Sequence, residues 1–210
     1  MKLEEITAKY ERPIIGIIGA TSPLPGYDSD EAYRLGYELR EVVDKQGSLF
    51  TGGVPGVGLD VYRGIADHCA EKGVEDKFFI LLPNIEIEPP EEYFRLAEKT
   101  KNKALKIERA GQNMEERRSY VGAVADVLVL VNGSKGTLDE TLKGLIQRKP
   151  IICLQNSGGA AEVISKLKRG EIDIPLNVDR ELIRPFDSIS EIINYLSNES
   201  LSKYREGAQK

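Results

Sequence analysis

Short apolar runs alternate with longer amphipathic stretches along the chain, and this alternation predicts strand and helix in turn, as in a mostly parallel sheet. Residues 14–19 (IIGIIG) are apolar throughout, as a strand covered on both faces requires. A helix over 28–46 follows. Asp28 and Glu31 have capping-box spacing at its start, and Tyr33, Leu35, Leu39, Val42 and Val43 draw its buried stripe. The spacing predicts a strand over 48–51, a Gly-rich turn over 52–58, and a helix over 59–72 stopped by Gly73. A strand over 77–82 is closed by Pro83, and Pro89 and Pro90 leave only 91–99 for a short helix. A strand is expected over 104–108, and the polar segment 109–113 leads into a helix through Ala125. The run 126–131 (DVLVLV) is the most hydrophobic strand, followed by a helix over 137–148 and a strand over 150–154. Gly158 and Gly159 open a helix to about Lys168. A last short strand spans 182–186, and a final helix over 188–196 starts with capping-box spacing between Ser188 and Glu191.

These elements amount to one α/β domain over 1–210, with its core from about 14 to 197 and a polar, frayed tail over 198–210. With 40% hydrophobic and 30% charged residues, the chain has the balance of a soluble globular protein with a substantial core. The net charge of −5 gives no global attraction for a polyanion, so nucleic acid is not expected as a partner. A single histidine, His68, and two distant cysteines, Cys69 and Cys153, exclude a His-rich metal site and make a disulfide framework improbable. The segment 1–13 lacks a signal peptide's apolar core and no run is long enough to cross a bilayer, so the expectation is a cytoplasmic protein without a membrane partner.

In an open parallel sheet, ligands sit beyond the carboxyl ends of the strands, and three loops qualify. The first is Gly19, Ala20, Thr21 and Ser22, whose small residues and hydroxyls allow close approach to the backbone. The second holds Gly52, Gly53, Gly56 and Gly58. Their order is not G-x-G-x-x-G and no acidic residue ends the next strand, so a dinucleotide fingerprint is absent, yet four glycines exceed what one turn needs. The third is Asn132, Gly133, Ser134, Lys135, Gly136 and Thr137, wedged between the core strand and a helix. Helix N–H groups and the hydroxyls of Ser134 and Thr137 suit an anion there, and without P-loop spacing a monophosphate fits better than a triphosphate with magnesium. A purely structural account of part of this loop also exists: Thr137 and Glu140 have capping-box spacing. Upstream, Arg117 and Arg118 offer guanidinium forks to a phosphate, or else pair with nearby carboxylates on a solvated face.

Together, Met114-x-x-Arg117-Arg118, the strand opening at Asp126, and Gly133-x-x-Gly136-Thr137-x-x-Glu140 resemble the Lonely Guy (LOG) family, whose pattern is M-x-x-R-K, a strand, then P-G-G-x-G-T-x-x-E. The turn over 52–58 is similar to that family's G-G-x-x-G-x-M segment. The resemblance spans about 14–154 and implies a Rossmann-like, doubly wound fold with helices on both faces. It implies a small-molecule nucleotide as ligand, a homodimer or higher homo-oligomer, and hydrolysis of a nucleoside 5′-monophosphate to free base and ribose 5-phosphate. Arg117 and Glu140 match the family's catalytic pair, Gly133, Lys135, Gly136 and Thr137 fall in its phosphate loop, and neither metal nor cofactor is implied. The chain departs from the pattern at Asn132 for Pro, Ser134 for Gly, Arg118 for Lys, and Leu59 or Asp60 near the expected Met. The segment 158–162 (GGAAE) is similar to a neighbouring branch that includes molybdenum-cofactor carrier-like proteins. A non-catalytic nucleotide or cofactor carrier of the same fold is therefore the alternative.

Overall fold

The computed structural model describes residues 3–44 and 46–197; the expected polar tail over 198–210 lies outside them. The strands are β1 (Ile14–Gly19), β2 (Ser48–Thr51), β3 (Phe78–Leu82), β4 (Ile107–Arg109), β5 (Val127–Val131), β6 (Ile151–Leu154) and β7 (Ile183–Phe186). The helices are α1 (Leu3–Thr7), α2 (Ser29–Val42), α3 (Val57–Lys72), α4 (Glu91–Lys99), α5 (Met114–Val124), α6 (Lys135–Ile146), α7 (Gly159–Arg169) and α8 (Ile189–Tyr195). All strands join one seven-stranded sheet in the order β4-β3-β2-β1-β5-β6-β7, and every pairing is parallel. This is a Rossmann-like α/β fold.

Alternation along each strand splits the core into two layers. In β5, Val127, Val129 and Val131 face a layer with Leu35 and Leu39 of α2, Ile65 of α3 and Tyr93 of α4. Leu128 and Leu130 face the opposite layer, built with Val121 of α5, Leu145 of α6 and Ile164 of α7. Because both faces are covered, β5 is buried at every position, and each such side chain contributes roughly 1.5–3 kcal/mol of burial. Among the described residues no helix is long and apolar enough to cross a membrane.

The differences from the expected elements have local causes. Asp28 caps α2, its carboxylate accepting from the N–H groups of Asp30 and Glu31, but the helix closes at Val43 and Gly47, at φ +126°, turns the chain into β2. α3 starts at Val57, two residues earlier than expected, because Gly56 adopts φ +74° and Val57 N–H donates to Ala20 O at 3.1 Å. β4 is shorter and lies further along the chain than the expected strand. The most consequential shift is in α6, which begins at Lys135 with Ser134 in the N-cap position. Thr137 is thus the third helical residue and cannot cap, so the capping-box account of Glu140 does not hold.

The sheet order creates the site. From β1 the chain proceeds outward through β2, β3 and β4, then returns to place β5 on the other side of β1. β1 and β5 are adjacent, with Gly19 registered against Val131, yet their loops lead to helices in opposite directions. Such a switch point leaves a crevice beyond the strand ends.

Candidate functional site

A cavity of about 180 Å³ occupies this crevice. Its wall includes Gly19 and Thr21 after β1, Gly52, Val54 and Gly58 around the start of α3, Met114, Arg117 and Arg118 on α5, and Ser134, Gly136, Thr137 and Glu140 at the start of α6. The three loops singled out in the sequence therefore converge. The opening residues of α5 and α6 face one another because these helices pack side by side on the same sheet face.

Arg117 is held on several sides. Its Nε donates to Leu81 O at the end of β3 at 2.9 Å, and its Nη1 forms an ion pair with Glu140 Oε1. The two side chains are 5% and 10% exposed, so the pair is a buried one. Nη2 lies over Gly52, where any Cβ would overlap the guanidinium. Here glycine is required for space, since Gly52 has no positive φ. Glu140 Oε2 receives no protein hydrogen bond among the described residues, yet it is not sealed off, and the side chain lines the cavity. One carboxylate oxygen is thus anchored and the other is open to a ligand. Burial pushes the Glu140 carboxyl above the usual carboxylate range, and the guanidiniums of Arg117 and Arg118 offset only part of that rise.

The first turn of α6 forms the adjoining wall. Its leading N–H groups have no helical acceptor, and Ser134 Oγ makes no capping bond. Thr137 Oγ1 donates to Gly19 O at 3.0 Å and ties the loop to β1. Arg118 reaches over Gly136, where a Cβ would come within 3.0 Å of Nη2. Among the described residues its one ion pair is loose, 3.6 Å to Asp139, which Lys143 already holds at 3.0 Å. Two guanidiniums, a helix N-terminus and one buried carboxylate give the cavity the character of an anion site.

Six of the residues expected to touch a ligand lie off the cavity wall. Ala20 is buried and its carbonyl accepts from Val57 N–H. Gly53 and Gly56 adopt positive φ and shape the turn into α3. Gly133, at φ +109°, makes the turn out of β5, and its carbonyl accepts from Ala160 N–H. Lys135 is exposed and borders a neighbouring shallow hollow beside Arg118. Asn132 is fully buried at φ +53°: its Oδ1 accepts from Leu24 N–H at 3.0 Å, while Nδ2 donates to Leu24 O at 3.1 Å and Ser157 O at 2.5 Å. It braces the β1–α2 and β6–α7 connections. Sequence reasoning did not assign Val54 and Met114 to the site. Met114 is one helical turn before Arg117 and Arg118, and that spacing was the available signal. Among the described residues no cluster of His, Cys, Asp and Glu could hold a metal ion.

No family model matches the chain, and no curated protein matches it. Solved structures do. A structural genomics target designated TM1055 superposes with a TM-score of 0.63 at 22% identity, covering 87% of this chain and 97% of its own. The molybdenum cofactor carrier protein of Chlamydomonas reinhardtii gives 0.58 at 19% identity, covering 88% of this chain and 95% of its own. DNA processing protein A of Helicobacter pylori, described by its single-stranded DNA binding mode, gives 0.59 at 16% identity, covering 91% of this chain and 82% of its own. At these identities the likeness establishes the Rossmann-like fold. It also overturns the partner expectation that excluded nucleic acid on net charge: a protein of this fold binds single-stranded DNA. The physical reason is that net charge averages the whole surface, whereas a strand of nucleic acid meets one local patch.

Proposed function

We propose that the crevice binds a nucleoside 5′-monophosphate and hydrolyses its N-glycosidic bond, giving free base and ribose 5-phosphate. One observation carries this reading: the Arg117–Glu140 pair is buried in the cavity wall, with one carboxylate oxygen open, beside the first turn of α6, which has no side-chain cap. The resemblance to the LOG motifs points the same way.

In this reading the phosphate lies against the first turn of α6, within reach of the Ser134 hydroxyl and the Arg118 guanidinium, whose loose tie to Asp139 is easily exchanged for a phosphate. That places the ribose toward Glu140. Departure of the base leaves positive charge spread over C1′ and the ring oxygen, and the Glu140 carboxylate stabilises it. Water adds to C1′, the C1′–N bond breaks with its electron pair going to the base nitrogen, and the proton released by water ends on the base. A carboxyl with a raised pKa is suited to relay that proton. Arg117, pinned by Leu81 O and packed over Gly52, holds the carboxylate in place.

The test is incubation of the purified protein with a panel of nucleoside 5′-monophosphates, with chromatographic detection of free base and ribose 5-phosphate. Tight binding of a nucleotide with no cleavage of any would overturn the hydrolase reading. It would instead support a nucleotide or cofactor carrier, the alternative that the shared fold with molybdenum cofactor carriers brings forward.

A further inference from the structure

The turn over 52–58 carries four glycines in seven residues, and so it has few side chains of its own to fix its path. Hydrogen bonds from neighbouring elements must do so. We infer that Tyr93 of α4, which lies off the cavity wall, is the positioning residue of this turn and, through it, of the Arg117–Glu140 pair. The effect on turnover rests on the hydrolase reading; the effect on the turn does not.

Tyr93 is fully buried, and its Oη donates to Val54 O at 2.9 Å. Thr51 Oγ1, at the end of β2, bonds the same hydroxyl and accepts from Gly53 N–H at 3.3 Å. Two hydroxyls thus grip the turn at Gly53 and Val54. Gly58 closes over both, since a Cβ there would come within 3.0 Å of Tyr93 Oη and 3.3 Å of Thr51 Oγ1. The Tyr93 ring is itself held in a stack with Tyr62, centroids 5.4 Å apart. Burial keeps the Tyr93 hydroxyl protonated far above the usual tyrosine range, and the charge of Arg117 offsets only part of that rise. It therefore stays a donor.

Tyr93 belongs to the core layer of α2 and α3, whereas α5 packs in the opposite layer. The turn lies between them. On its far side the Arg117 Nη2 packs over Gly52, the residue next to Gly53. A turn released from Tyr93 frees Gly52 to move, and the guanidinium resting on it shifts with its carboxylate. A displacement of about 1 Å suffices to lower turnover by about 10²-fold. The phosphate contacts proposed at the first turn of α6 do not involve this turn, so substrate binding is kept.

The test is Tyr93→Phe in the full chain, which removes one oxygen and keeps the ring for the stack on Tyr62. Tyr62→Phe is the control: it makes the same change in the neighbouring ring, whose hydroxyl donates to Asp76 at 3.2 Å and not to the turn. Kinetics use whichever of AMP, GMP, CMP and UMP the parent cleaves fastest. Tyr93→Phe should lose about 10–10²-fold in kcat with KM kept, while Tyr62→Phe turns over like the parent. A kcat equal to the parent's in Tyr93→Phe, or an equal loss in both variants, overturns the inference. Hydrogen–deuterium exchange read by mass spectrometry is the second arm and needs no turnover. In Tyr93→Phe the peptide over 52–58 should exchange about 2–10-fold faster, with α7 unchanged. Unchanged exchange over 52–58, or the same acceleration in α7, also overturns the inference. If Tyr93→Phe does not fold, Thr51→Val removes the other oxygen of the grip and carries the same expectations and the same overturning outcomes. Absence of cleavage of every nucleotide by the parent overturns the hydrolase reading instead, and the exchange arm then decides the role of Tyr93 by itself.

Discussion

Arg117 and Glu140, 23 positions apart in the chain, meet in a buried ion pair that joins the first turn of α5 to α6 at the floor of the crevice. The pair is costly to desolvate, and its contacts with Leu81 O and Gly52 leave it little freedom to rearrange. Removing either member leaves the other charge buried without its partner, so Arg117→Ala should lower stability by about 3–5 kcal/mol in a denaturant titration. Glu140→Gln keeps an acceptor for Arg117 and should fold. In the hydrolase reading it loses about 10²–10⁴-fold in kcat while still binding nucleotide in calorimetry.

The raised pKa of Glu140 has a pH signature. Burial lifts it above the ordinary 4.5, with Arg117 opposing. As pH falls, the folded chain takes up this proton before the unfolded chain does. The contribution of this group to stability is therefore full below 4.5 and declines as pH rises through the window above it. The carboxylate form is the one that stabilises the oxocarbenium, so the acid limb of the kcat/KM profile should lie above pH 4.5. A limb at or below that value would show that Glu140 does not control it.

Gly52 offers a way to disturb the pair without touching either member. Gly52→Ala places a methyl against the Arg117 guanidinium, and overpacking of this sort costs about 1–3 kcal/mol. Turnover should fall together with stability. Gly73→Ala is the control: Gly73 has φ +66° but nothing within 4 Å of its added carbon, so it should cost about 1–2 kcal/mol in conformational strain with turnover kept.

Asn132 stands where the LOG pattern has proline, yet its φ of +53° is one that proline cannot adopt. Restoring the motif by Asn132→Pro should therefore give a protein that does not fold. Asn132→Ala strands the Leu24 and Ser157 backbone groups it now satisfies, at about 1–3 kcal/mol for each one left buried and unpaired. Proteolytic nicking between residues 21 and 28 in Asn132→Ala, and not in the parent protein, would report release of that loop; protection equal to the parent would contradict the bracing role.

His68 provides a second pH-dependent term, away from the site. It is 4% exposed on α3, packed edge-on against Tyr37, and its Nδ1 has no partner among the described residues. Burial lowers its pKa from the ordinary 6.5, helped by Arg40 and Lys72 and opposed by Glu41 and Asp44. The unfolded chain takes the proton first as pH falls, so stability is lost on acidification through the window below 6.5. Melting temperatures measured from about pH 7 to about pH 5 should fall more steeply for the parent than for His68→Phe. Parallel curves would contradict this.

The fold class was legible because periodicity is a local property. IIGIIG in β1 and DVLVLV around β5 are apolar on both faces, and only a sheet covered on both sides accommodates them. The candidate site was legible as a set of loops, because glycines at strand ends mark where backbone or ligand must come close. What each residue does there was not legible. Gly52 and Gly56 look alike in the sequence, but one makes room for a guanidinium and the other supplies a positive φ. Thr137 has capping-box spacing to Glu140, but the helix starts two residues earlier and Thr137 donates to Gly19 instead. Asn132 looks like a ligand contact in a phosphate loop and is a buried brace between two other connections. The physical reason is range. The sequence by itself determined the strands, the helices and the candidate loops, which depend on neighbours a few positions away. Only the tertiary structure decided that β5 returns to the far side of β1, and with it that Arg117 reaches Glu140 in a crevice where one carboxylate oxygen stays open.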